Sequence, residues 1–263
     1  MTPPESSAQR PAFPTIRTVP MERPFVWLRR GWGDLLFCPL PSLFYGLCFV
    51  AGGALMVLVL GGAPEYIAAV TSGFLIGGPF LALGLYEISR RREKGLPCSL
   101  VPTLSAWKGK VGNLGIFTAV LMVIFLVWAR ASMVVFALFY SGEMPTTSGF
   151  LRHVVSTDHL AFLCAYFAVG GIFALIAFSV SLVSVPLILD GDHDAITAMI
   201  ASVRALLDNP GAMLVWAGLI ALLGGLGLVT FLVGMLVAGP VVGHATWHAY
   251  RDLVGPPEAD HRD

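Results

Sequence analysis

AMLVWAGLIALLGGLGLVTFLVGMLVAGPVVGHATWHAY, residues 212–250, runs for 39 residues without an Asp, Glu, Lys or Arg. As one α-helix rising 1.5 Å per residue it would be about 60 Å long, roughly twice the hydrocarbon thickness of a bilayer. The stretch is therefore read as two membrane spans, 212–226 and 228–250, turning near Gly224-Gly225-Leu226-Gly227.

Four further stretches are long and apolar enough to cross a bilayer, which takes roughly 20 residues. They are 43–62, 66–88, 113–140 (interrupted by Arg130) and 160–189. Composition agrees: 56% of the 263 residues are hydrophobic and 12% charged, about half the charge of a soluble domain. The expected fold is all-α, a polytopic membrane protein of six transmembrane helices occupying residues 22–254. Residues 1–21, rich in proline and without an apolar core for a signal peptide, are expected to form a flexible cytoplasmic tail, and 255–263 a short C-terminal one. The cysteines Cys38, Cys48, Cys98 and Cys164 show no C-x-x-C spacing and read as small buried hydrophobes.

Charge placement gives the orientation. The turns near 63–65 and 224–227 contain no Lys or Arg, and the 141–159 loop holds only Arg152. Arg130 lies within a span, and the other fourteen basic residues fall in the opposite compartments. By the positive-inside rule both termini are cytoplasmic. Net charge is zero, and no nucleic-acid partner is expected.

The chain repeats itself. GPVVGHATWHAYR (239–251) aligns with GPFLALGLYEISR (78–90), so that Gly239-Pro240 falls on Gly78-Pro79, Trp247 on Tyr86 and His248 on Glu87. Upstream, WGDLLFCP (32–39) aligns with VRALLDNP (203–210), and WKGKVGNL (107–114) is a looser copy. Three repeated hairpins follow, each preceded by a cytoplasmic interfacial helix. In 195–208, Ile196, Met199, Ile200, Val203 and Leu207 form an apolar stripe at helical spacing, with Asp192 and Asp194 as cap candidates.

Five stretches, LLFCPLPSLFYGL (35–47), GPFLALGLYEISRRREKG (78–95), SVPLILD (184–190), ASVRALLDNPGAM (201–213) and GHATWHAYRDLV (243–254), resemble the bacterial integral membrane proteins grouped as a domain of unknown function. Some members of that group carry a cytochrome c oxidase subunit-like label. The resemblance covers about residues 22–254. It implies a bacterial inner (cytoplasmic) membrane protein and no particular reaction.

Few polar residues are candidates for function. Arg130 lies past the middle of the third span, where burial costs roughly 2.5–3.5 kcal/mol. It either pairs with Glu65, Glu143 or Asp158 or snorkels outward. Glu87, paired with His248 by the repeat, suggests a His–carboxylate contact able to relay protons. His244 and His248, one helical turn apart, form a candidate ligand pair for haem or copper. The alternative is packing at the headgroup level, and no cofactor is required. DGDHD (190–194) lacks the glycine and the bidentate glutamate of a calcium loop. Catalytic motifs are missing.

The expected function is non-catalytic: an accessory, assembly or packing partner of a larger inner-membrane complex, in contact with lipid and with other membrane proteins. Two alternatives stand beside it. A small-solute transporter would use kinked repeats, with a wet mid-depth cavity lined by Arg130, Thr71, Ser72 or Ser179. A redox subunit would bind haem or a metal at His244 and His248.

Overall fold

The structure, a computed structural model, describes residues 13–62, 67–139 and 160–255, and of residues 67–76 the backbone alone. Glu65, Glu143, Asp158 and the side chains of Thr71 and Ser72 thus lie outside the described residues. The described chain is helical apart from one pair of two-residue strands. Its elements are β1 (Thr15–Ile16), α1 (Arg23–Phe37), α2 (Pro39–Gly62), α3 (Ile67–Glu93), α4 (Leu100–Leu104), α5 (Val111–Phe139), α6 (Leu160–Ser181), α7 (Ser184–Asp190), α8 (Ala195–Asp208), α9 (Pro210–Val229), α10 (Met235–Leu253) and β2 (Val254–Gly255).

Contacts divide the chain into two compact units: residues up to Thr118 together with those from Val180 onward, and Ala119–Ser179. In the first unit α10 is the hub, packing on α1, α2, α3, α7 and α9. A Cβ on Gly31 of α1 would stand 2.7 Å from Ala245 N and Val241 O, so the missing side chain is what lets α1 reach the α10 backbone. Trp27, Trp216 and Trp247 are fully buried in this unit, and Trp27 meets Trp216 edge to face at 5.8 Å. In the second unit Phe162 of α6 is buried against Phe136 and Phe139 of α5; most other large side chains there face outward.

Among the described residues four stretches are long and apolar enough to cross a membrane: Pro39–Gly62, Val111–Phe139, Leu160–Asp190 and Pro210–Val229. The helices α3 and α10 also match expected spans, but α3 ends in Arg90-Arg91-Arg92-Glu93 and α10 carries His244, His248, Arg251 and Asp252. A helix ringed by protein can carry such groups where a lipid-facing one cannot. The stretch Leu160–Asp190, which covers the fourth expected span (160–189), has 31 residues and is too long for the core. It breaks after Ser181, so that Pro186 falls in the first turn of α7, where a missing N–H costs nothing.

Two expectations need correction. The last apolar stretch does turn, but not at its glycines: α9 continues through Gly224-Gly225-Leu226-Gly227 to Val229. The turn lies at Thr230–Gly234, with Phe231 and Leu232 at positive φ (52° and 70°). Thr230 is the reason. Its hydroxyl lies 2.9 and 3.0 Å from the carbonyls of Leu226 and Gly227 and accepts from Gly234 N at 2.9 Å, which satisfies groups that a helix end leaves open. The tail expected through residue 21 is structured from residue 13. β1 pairs antiparallel with β2, Arg17 N donates to Leu253 O at 2.8 Å, and Val19 N to Asn209 Oδ1 at 2.7 Å.

The two surface helices are two-faced. In α8, Asp194 caps the N-terminus by accepting from Ile196 N and Thr197 N, both at 2.9 Å. Its alanines Ala195, Ala198, Ala201 and Ala205 are fully buried, whereas Ile196, Ile200 and Leu207 are exposed. In α1, Trp27, Asp34 and Leu35 point inward and Phe25, Trp32 and Leu36 outward. Small or shape-matched residues dock each helix, and the large apolar ones remain free to meet lipid. In both cases a single residue separates the helix from a proline that opens the next one, at Cys38-Pro39 and Asn209-Pro210.

Cysteine corrects a third reading. Cys38 and Cys98 form a disulfide, with Cα atoms 5.7 Å apart, while Cys48 and Cys164 are free.

Candidate functional site

Polar side chains of the first unit gather where α1, the C-terminal end of α3 and the C-terminal half of α10 converge. Three carboxylates organise them. Asp252 accepts from Arg23 Nε at 2.6 Å and Trp27 Nε1 at 2.7 Å, with Arg30 at 3.4 Å. Asp190 accepts from Arg90 Nε at 3.0 Å and from the Tyr250 hydroxyl at 3.1 Å.

Asp34, 1% exposed, is the deepest of the three. Arg92 Nη1 lies 2.6 Å from one of its oxygens and His248 Nε2 2.9 Å from the other. Burial alone would raise the Asp34 carboxyl; hydrogen bonding, led by His248, outweighs it and holds the group below the usual carboxylate range. A buried carboxylate with both oxygens engaged avoids the cost of an unpaired charge.

His244 sits one turn further into the bundle and is fully buried. Its Nε2 is 2.9 Å from Ser42 Oγ on α2 and its Nδ1 is 2.9 Å from Ser89 Oγ on α3. Ser42 donates its proton to Cys38 O at 2.7 Å, so its oxygen is left to accept from Nε2–H, while the Ser89 hydroxyl is within hydrogen-bonding reach of both Nδ1 and Asp34. The ring thus ties three helices together.

The expected pairs are rearranged. His248 meets Asp34 and not Glu87, which pairs with Arg90 at 3.2 Å on its own helix. The repeat alignment placed Glu87 and His248 at equivalent positions, but α1 supplies His248's partner, Asp34. Both His244 nitrogens are engaged, by Ser42 and Ser89, and His248 Nε2 is engaged by Asp34. Among the described residues no group of three or more His, Cys, Asp or Glu has metal-binding geometry. In DGDHD, Asp190 is engaged as above, Asp194 caps α8, and Asp192 is exposed near Lys110.

Arg130, in the second unit, is exposed on α5 and has no ion pair among the described residues. It lies in a row with Val123, Leu126, Val127, Met133 and Val134, all exposed, at the spacing of one helical face. Glu65, its candidate partner, lies outside the described residues.

Sequence reasoning missed Asp34, Ser42 and Ser89. Asp34 had one available signal, a lone carboxylate flanked by apolar residues on a helix whose inward face repeats every three to four positions. The serines had none.

Residues 67–190, from α3 through α7, match the family described as Predicted integral membrane protein (DUF2189). The match contains two of the five stretches that carry the resemblance noted from sequence, 78–95 and 184–190; the other three lie outside it. No curated protein and no solved structure matches the chain. With its several apolar helices, this is an integral membrane protein.

Proposed function

We propose that the chain is a six-span bacterial inner-membrane protein, built of three surface-helix-plus-hairpin repeats with both termini cytoplasmic, and that it serves as a non-catalytic accessory partner of a larger membrane complex. The order of its helices and the fourteen basic residues on one side support the topology. Arg130 supports the role: a cation amid an exposed apolar face of a membrane helix costs roughly 2.5–3.5 kcal/mol unless it finds an acidic or hydrogen-bonding partner.

Transport fits the described residues less well. Two further cavities among the described residues of the first unit, about 230 and 280 Å³, are walled mainly by apolar side chains such as Phe49, Leu85, Leu223 and Leu226. Transporter repeats usually meet at a polar midplane site, and the polar groups here are gathered at one end and satisfied by one another.

Isolation of the tagged full chain from its native membrane in mild detergent tests the role. A stoichiometric membrane-protein partner is expected with the wild type and with Arg130→Lys, and is expected to be lost with Arg130→Leu while the chain's own abundance holds. Recovery of the chain alone, or a partner retained equally by Arg130→Leu, would overturn the proposal.

A further inference from the structure

An open cavity of about 570 Å³ lies between α1 and the C-terminal end of α3. Arg29, Arg30, Arg92, Ser89 and His248 contribute to its wall. The acids there are already engaged. Asp34 holds Arg92 and His248, and Glu93 pairs with Arg251 at 3.3 Å. Arg30 reaches only Asp252, at 3.4 Å, and that carboxylate already holds Arg23 and Trp27 more closely. Arg29 is exposed and has no hydrogen-bond partner among the described residues. Three arginines (29, 30 and 92) and two carboxylates (34 and 93) line the cavity, which leaves a local positive surplus.

The cavity is also shaped. Asp34 fixes one side of the Arg92 guanidinium, and the Phe37 ring lies 5.1 Å from its carbon, so the fork is oriented before any ligand arrives. A Cβ on Gly33 would stand 3.2 Å from Arg92 Nη1; glycine keeps that wall low. Planar, fixed guanidinium groups around a cationic hollow match the oxygens of a phosphate group, and the volume falls within the usual range for small-ligand sites.

We propose that this cavity binds a phosphate-bearing anion, held by Arg29 and Arg30 with Arg92 as the preoriented third contact. Two sources carry that chemistry: the headgroup of an anionic phospholipid, which the exposed Phe25, Trp32 and Leu36 of α1 would bring within reach, and free phosphate.

The full chain in detergent is titrated with dioleoylphosphatidylglycerol, with dioleoylphosphatidylcholine and with inorganic phosphate. Native mass spectrometry reads lipid adducts and calorimetry reads phosphate. Phosphatidylglycerol held in preference to phosphatidylcholine, and roughly tenfold more weakly in Arg29→Gln/Arg30→Gln, supports the site with a lipid ligand. Inorganic phosphate bound with the same arginine dependence, and no preference between the lipids, supports it with a soluble one. Gly33→Leu, which fills the cavity without changing charge, is expected to reduce binding similarly. Arg29→Gln alone, which removes a side chain with no partner to lose among the described residues, keeps the test valid if another variant fails to fold. Equal binding by wild type and arginine variants, or no binding of inorganic phosphate together with no preference for phosphatidylglycerol over phosphatidylcholine, would overturn the proposal.

Discussion

Asp34 Oδ2 and His248 Nε2, 214 residues apart in sequence, stand 2.9 Å from each other, and through that contact the first helix is fastened to the last. Asp34 brings Arg92 with it, so α1, α3 and α10 share one buried carboxylate. One turn deeper, His244 joins α2 and α3 to α10 through two serine hydroxyls.

Removing that carboxylate's charge should loosen all three helices. Asp34→Asn is expected to cost roughly 3 kcal/mol, because breaking a buried pair leaves its partners unsatisfied. Arg92→Gln, at a side chain 41% exposed, should cost about 1 kcal/mol or less. Thermal unfolding in detergent, followed by tryptophan fluorescence, measures both; equal melting of Asp34→Asn and wild type would show that the pair holds nothing together.

Acid should act at the same end of the bundle. Burial would raise the Asp252 carboxyl, but hydrogen bonds from Arg23 and Trp27 outweigh it and hold the group below its usual range, as for Asp34. A carboxyl lowered in the folded state contributes its full stabilisation above the unfolded value, near 3.9, and loses it as pH falls through the folded one. The melting temperature is therefore expected to be level from neutral pH down to about 5 and to drop below about 4. Asp252→Asn should melt lower at neutral pH and lose less on acidification.

Helix approach offers a contrast between two glycines. Gly31→Val drives a side chain into the α10 backbone and is expected to destabilise by about 1–3 kcal/mol. Gly218→Ala on α9 meets nothing within 4 Å and should change stability by less than about 1 kcal/mol. Comparable losses from both would mean that α1 does not rest on α10 at Gly31.

The Cys38–Cys98 bridge ties the α1–α2 junction to the segment after α3. Reducing the purified protein should lower its stability by at most about 4 kcal/mol, the chain-entropy value for a loop of this length, and by less to the extent that the bilayer already confines the hairpin. Reducing compartments keep such pairs as thiols, and Cys38 is fully buried in the fold, so alkylation of the chain denatured immediately after acid quenching of intact cells is expected to label both cysteines if this end is cytoplasmic. Full protection from the reagent would argue for the opposite orientation.

Much of the architecture is legible in the sequence because lipid imposes one-dimensional rules: unbroken apolar length, proline at the Cys38-Pro39 and Asn209-Pro210 junctions, a carboxylate at the Asp194 cap. What failed depended on distant partners. Glycine clusters suggested a turn at 224–227, yet the helix end went to Thr230, whose hydroxyl could close it. Alignment paired Glu87 with His248, but only the docking of α1 shows that Asp34 occupies that place. Ser42 and Ser89 look like ordinary small residues until a histidine 202 and 155 positions away comes between them.

The docking of α1 on α10 has a consequence for biosynthesis. During translation residues 23–37 leave the ribosome some two hundred residues before their seat exists, with Trp27 and Asp34 still uncovered. Only when the closing helix is released can β1 pair with β2 and the indole and carboxylate be capped. The nascent polypeptide must pass through a long unfinished stage, when insertion machinery or chaperones have the most to protect.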